Sequence, residues 1–123
     1  MFKTIGIYKG LEDVEKFQRF YVQEVMPRML DLPGVQQMRI TALTNTNPED
    51  QPFDMGDVQF IIETFYDSPE SVKQVTMTPE GQELIKILGT YRKNMAAFVG
   101  KEHTITARAR VYSSPKQSTT QSK

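Results

Sequence analysis

Cysteine and tryptophan are absent from the 123 residues, and histidine occurs once, at His103. Without cysteine there is no disulfide framework, no thiolate nucleophile and no cysteine-rich zinc site. One imidazole is too few for an all-histidine metal site. Net charge is missing too: 15 Lys plus Arg balance 15 Asp plus Glu, so no global field draws in DNA or RNA. No apolar run approaches the ~18 residues of a membrane-spanning helix. The opening Met1-Phe2-Lys3-Thr4-Ile5-Gly6 lacks the apolar region and small-residue cleavage site of a signal peptide. The expected compartment is therefore the cytoplasm, with neither nucleic acid nor membrane as partner. Gly6 and Gly10 do not have the spacing of a phosphate loop, and no Lys-Ser/Thr follows them.

What remains is ordinary globular composition, 38% hydrophobic and 24% charged, in a length that suits one domain. Residues 2–8 (FKTIGIY) alternate and read as a strand. Asp13 is a helix N-cap, and Val14, Phe17, Tyr21, Val25 and Met29 form one buried stripe as far as about Leu30. Pro27 lies inside that helix and is expected to kink or loosen its last turn. Residues 35–43 (VQQMRITAL) read as a second strand, with Met38, Ile40 and Ala42 on one face and Gln37, Arg39 and Thr41 on the other. A long loop follows, carrying Glu49, Asp50, Asp54 and Asp57. It lacks the alternating Asp/Asn pattern and glycine of a calcium-binding loop and reads as solvated.

Residues 58–66 (VQFIIETFY) are apolar on almost both faces, which suits a central strand. Ser68-Pro69 and Thr78-Pro79 are two helix starts. The second opens a stripe of Leu84, Leu88, Tyr91, Met95 and Phe98, which predicts a helix as far as a cap at Gly100. Residues 102–112 (EHTITARARVY) then read as a fourth strand, with His103, Ile105 and Ala107 on its apolar face. From Ser113 no apolar side chain remains, so residues 113–123 are expected to be a disordered polar tail behind a single domain of residues 1–112. The order β-α-β, β-α-β is that of the ferredoxin-like α+β sandwich: a four-stranded antiparallel sheet with helices on one face. The other face is left open, and a second copy of the sheet would cap it.

The residues also carry a family likeness. Phe17 to Pro27 reads FxxFYxxxVxP; Leu32-Pro33-Gly34-Val35 opens the second strand; Phe65-Tyr66-Asp67-Ser68-Pro69-Glu70-Ser71 closes the third; Thr78-Pro79-Glu80-Gly81-Gln82 starts the last helix. Over about residues 2–106 this ordered set resembles the EthD-like branch of the dimeric α+β barrel proteins. The resemblance implies a homodimer whose two sheets form a barrel, with a small-molecule pocket between sheet and helices. It implies a hydrophobic or aromatic ligand. Chemistry of oxidoreductase, isomerase or decarboxylase type is one outcome, and a non-catalytic dimeric structural or protein-interaction module is the other. No cofactor is expected. Haem is the alternative, because the wider superfamily includes haem-handling proteins, and His103 is the only conventional imidazole ligand. Where the family often shows His-x-Pro at the end of the first helix, this chain has Val25-Met26-Pro27.

The candidate catalytic residues are His103, Tyr21 and Tyr91. His103 is either an acid–base group at the pocket edge or a strand-start histidine satisfied by the helix end. Tyr21 and Tyr91 lie on buried stripes, as hydrogen-bond donors to a ligand or as core tyrosines with peripheral hydroxyls. Tyr8 and Tyr66 are further polar-tipped candidates. Phe17, Val25, Met29, Tyr8, Phe60 and Thr64 are the expected pocket walls. Arg39, Glu63 and Arg108 are expected on the open sheet face, as a base with an anion clamp or as an ion-pair network fixing the dimer.

Overall fold

The computed structural model describes residues 1–44 and 47–108. The alternating N-terminal segment forms β1 (Phe2–Lys9), and the three later strands are β2 (Val35–Ala42), β3 (Val58–Tyr66) and β4 (Met95–Lys101). All neighbours pair antiparallel in the order β2-β3-β1-β4, so β1 and the apolar β3 are central. The register sets Thr4 opposite Thr64, Gly6 opposite Ile62 and Tyr8 opposite Phe60. Because side chains alternate across a strand, these residues share the face that the helices cover. Lys3, Ile5, Ile7, Ile61, Glu63 and Phe65 share the opposite face.

Between β1 and β2 the chain is helical from Val14 to Leu30, but in three pieces: α1 (Val14–Phe20), a π-helical turn (Tyr21–Val25) and α2 (Met26–Leu30). Asp13 caps α1 by accepting the Lys16 N–H at 3.0 Å. The expected kink at Pro27 takes the form of the wide turn just before it. Proline has no N–H to return to the preceding turn, and the Met26 N–H reaches back five residues to the Tyr21 carbonyl. The extra residue keeps both Tyr21 and Val25 turned to the sheet, where both are buried. Gly34, at φ +86, turns the chain from α2 into β2, and its carbonyl accepts the Asp67 N–H at 2.9 Å.

Ser68 and Thr78 cap α3 (Pro69–Val75) and α4 (Pro79–Leu88) as their sequences predict, each accepting a backbone N–H three residues on. Arg28 ties α2 to α4 through ion pairs with Glu80, at 2.8 Å, and Glu83. The last third of the chain departs from the sequence reading. The helix stops at Leu88, a 3-10 stretch covers Gly89–Asn94, and MAAFV of the expected helix, with its expected cap Gly100, falls instead in β4. Gly89 weakens the helix. Pairing along β1 then satisfies the backbone of Met95–Lys101, and Asn94 Nδ2 fixes the junction by donating to the Lys9 and Gly10 carbonyls at 3.0 Å each. Among the described residues of the strand expected over 102–112, only Glu102 still pairs, by N–H to the Met1 carbonyl. Residues 103–108 are exposed and outside the sheet, so Arg108 does not join Arg39 and Glu63 on the open face. Residues 109–112 and the tail expected from 113 lie outside the described residues. Among the described residues, no helix is long and apolar enough to cross a membrane.

The core lies between the helices and the sheet. Phe17 is its hub, with ring centroids 4.9 Å from Tyr8, 5.6 Å from Tyr21, 5.4 Å from Phe60 and 4.9 Å from Tyr91. Leu84, from α4, is also fully buried there.

Candidate functional site

Beside this aromatic hub the helix–sheet interface leaves a cavity of about 220 Å³. Its floor is the helix-covered face of the sheet: Thr4, Gly6 and Tyr8 from β1, Thr64 and Tyr66 from β3, Met95 and Ala97 from β4. Its roof is Tyr21 and Met29 from the first helical segment, with Leu84, Ile85 and Leu88 of α4. Gly6 makes room for it. A Cβ there would stand 3.2 Å from Cε1 of Tyr8 and 3.6 Å from Sδ of Met95, filling the space between those two walls. Met95 and Ala97 are exposed, and so is Ile85, which puts an opening along β4.

Three phenols meet in this cavity. Burial pushes the Tyr8 hydroxyl up to about 12. It pushes Tyr21 much further above the ordinary phenol range, with smaller additions from the neighbouring Tyr8 and Tyr66. Tyr66 is raised as well, again by burial, partly offset by a hydrogen bond with Thr4. Each therefore stays a neutral phenol at neutral pH, able both to donate and to accept a hydrogen bond. None of the described residues lining the cavity carries a formal charge. Among the described residues no cluster of three acidic or histidine side chains is placed to hold a metal ion.

Of the residues singled out in the sequence, Tyr8, Tyr21, Met29, Thr64 and Tyr66 are brought together around this cavity. Phe17, Val25 and Phe60 are buried in the adjoining core, where they back the site without lining it. Tyr91 does not join Tyr21. It stacks edge-on against Phe17 and lines a separate groove of about 340 Å³ with Lys16, Lys93 and Asn94. His103 is exposed, beyond the end of β4. The floor residues Thr4 and Gly6 escaped the sequence reading. Their signal was the parity they share with Tyr8, together with a glycine inside a strand, which marks a close approach or a gap.

On the open face Lys3 Nζ bridges Glu63 at 2.5 Å and Glu102 at 2.9 Å. Lys3 and Arg39 also stand over the Phe65 ring, 5.2 and 4.8 Å from its centroid. Hydrogen bonding to Glu63, then Glu102, raises the Lys3 ammonium above its usual range.

No protein-family model and no curated protein sequence matches the chain. Solved structures do. An EthD (ethyl tert-butyl ether degradation) family protein from Bacillus halodurans superposes with a TM-score of 0.69 at 26% identity, over 84% of this chain and 99% of that one. This chain is similar to that EthD protein in fold and in sequence. A dimeric ferredoxin-like protein of unknown function from Bacteroides fragilis matches at TM-score 0.58 and 14% identity, over 82% of this chain and 95% of that one. SnoaB, a cofactor-independent oxygenase from Streptomyces nogalater, matches at TM-score 0.59 and 7% identity, over 86% of this chain and 94% of that one. The last two share the fold. The EthD-like resemblance and the ferredoxin-like α+β architecture read from the sequence thus both hold.

Proposed function

We propose that this EthD-like protein binds a small hydrophobic metabolite in the cavity between sheet and helices, as a homodimer in the cytoplasm. The observation that carries the reading is the cavity itself: about 220 Å³, apolar for most of its wall, with Tyr8, Tyr21 and Tyr66 converging on it. Pockets for drug-sized ligands span roughly 300–1,000 Å³, and a dry cavity of about 150 Å³ is enough for benzene. The size therefore favours one substituted ring over a fused polycycle. Tyr21 and Tyr8 orient the ligand by hydrogen bonds, and any turnover uses the electrons of the ligand itself, as the cofactor-independent oxygenase among the structural neighbours suggests by analogy. Haem does not fit. The cavity is below even the drug-sized range, and His103 is exposed outside it.

The dimer is supported by the open sheet face, where Ile5, Ile7 and Ile61 are only half-buried and Phe98, from β4, is 55% exposed. A contiguous apolar face of this kind is rarely left in water. A second reading, a non-catalytic dimeric module, draws on two points: Val25 stands where the resembled family often has a histidine, and the described lining holds no acid–base group besides phenols. Tyr21→Phe combined with His103→Ala separates the two. Loss of turnover at unchanged melting temperature marks an enzyme, and a change in melting alone marks the module.

The binding reading is tested by native mass spectrometry of freshly purified protein beside the Gly6→Val variant. The expected result is a dimer carrying extra mass that Gly6→Val no longer retains. A monomer overturns the dimer, and equal retention by the variant overturns this cavity as the site.

A further inference from the structure

From the make-up of the cavity wall we infer that the ligand is uncharged, and that it presents a carbonyl or comparable neutral oxygen acceptor to the tyrosine cluster. The inference rests on the binding reading above and goes on to name the ligand's chemical class. The cavity has two kinds of surface. Met29, Ile62, Leu84 and Leu88 offer only carbon and sulfur, while Tyr8, Tyr21, Tyr66 and Thr64 offer hydroxyls. Nothing among the described lining residues offers a counter-charge. The nearest ion pairs belong to other surfaces: Arg28 with Glu80 and Glu83 bridges the outside of α2 and α4, and Lys3 with Glu63 lies on the far face of the sheet.

A carboxylate, phosphate or ammonium entering this space would lose its water and gain no opposite charge, which costs far more than neutral hydrogen bonds return. The site's own phenols show the same penalty, since burial holds them against ionisation. A neutral carbonyl oxygen meets the opposite balance. It has lone pairs and no proton to give, and phenol O–H groups are the donors on offer. Tyr8 and Tyr21 share one hydrogen bond, as do Tyr66 and Thr4, so the Tyr8–Tyr21 pair keeps one O–H to donate outward. A purely apolar analogue would displace its water and offer no acceptor, a recognised source of discrimination.

Three one-ring probes of nearly equal size separate the possibilities: acetophenone (neutral carbonyl), ethylbenzene (no oxygen) and benzoate (anion). Binding is measured at neutral pH by ligand-observed NMR on the full-length protein. The expected result is acetophenone at least 5-fold tighter than ethylbenzene and at least 10-fold tighter than benzoate. Tyr21→Phe should remove most of the preference for acetophenone and leave ethylbenzene binding within 2-fold. Tyr8→Phe provides the same comparison should Tyr21→Phe fail to fold. Benzoate equal to or tighter than acetophenone overturns the inference, and so does ethylbenzene equal to acetophenone; in either case the cavity stands as a binding site. If none of the three binds, the binding reading fails and takes this inference with it.

Discussion

Tyr21 sits where three constraints meet. It is the first residue of the π-helical turn, it stacks against Phe17, and its phenol faces Tyr8 and Tyr66 in the cavity. Tyr21→Phe keeps the ring and removes one hydroxyl, so its expected effect on folding is small, about 1 kcal/mol in either direction by thermal or denaturant melting. Its expected effect on a bound ketone is several-fold. A large loss of stability with unchanged binding would make Tyr21 a core residue only. Tyr8 provides a pH readout. Its folded value of about 12 lies above the ordinary 10, so between these values the folded state holds a proton that the unfolded chain has released. Stability from this group is therefore complete below pH 10 and is lost from pH 10 to 12, by roughly 2 to 3 kcal/mol. Urea melts across that range should show the fall, with Tyr21 and Tyr66 adding to it because burial raises them too, and Tyr8→Phe should remove only its own share.

At the scale of elements, what was legible depended on whether two periodicities competed. β1, β2 and β3 each carry a clean two-residue alternation or an apolar run that suits the sheet centre, and Ser68 and Thr78 announce their helices. The first helical segment likewise carries one buried stripe, so Tyr8 and Thr64 from the strands and Tyr21 and Met29 from that stripe were placed on the covered side from the sequence. The last third misled because Leu84, Leu88, Tyr91, Met95 and Phe98 follow helical spacing, while residues 95–99 also make a short apolar run that pairing with β1 turns into a strand. Short apolar runs fit either state, and tertiary pairing decides between them. That displacement removes His103 from the sheet and brings Met95 and Ala97 to the cavity mouth. The π turn was legible only as trouble near Pro27. Deleting Gln23 should return the helix to regular winding and rotate Phe17 and Tyr21 away from the sheet. The expected cost is more than about 3 kcal/mol in denaturant melts, near the cost of removing a core aromatic, and a near-neutral result would show that the extra residue is not what aims them. In α4, Leu84→Ala should cost about 2 to 5 kcal/mol and widen the cavity enough for larger ring probes to bind.

For the molecule as a whole, the two faces of the sheet divide the work. The covered face encloses the cavity; the open face carries Ile5, Ile7 and Ile61 beside the Lys3–Glu63–Glu102 cluster. In the proposed dimer these isoleucines meet their symmetry mates, and each ion pair sits at the edge of an apolar contact. Ile7→Glu and Ile61→Lys should each convert the dimer to monomer in sedimentation experiments and leave the monomer folded by circular dichroism. Persistence of the dimer in both would place the contact on another surface. The open apolar face behind this proposal was legible in the sequence, because β3 is apolar on both sides and only one side can face the helices. The cavity was less legible, since a void depends on how α4 and β4 approach Gly6, which no local pattern encodes.

The tyrosine cluster has a spectroscopic consequence. With no tryptophan in the chain, tyrosine supplies all of the protein's intrinsic emission, and three of its five tyrosines line the cavity. A carbonyl oxygen hydrogen-bonded to those phenols would quench them, while Tyr91, which lines the separate groove, would serve as an internal reference. The protein thus carries its own fluorescent gauge of occupancy, and no label is required to read it.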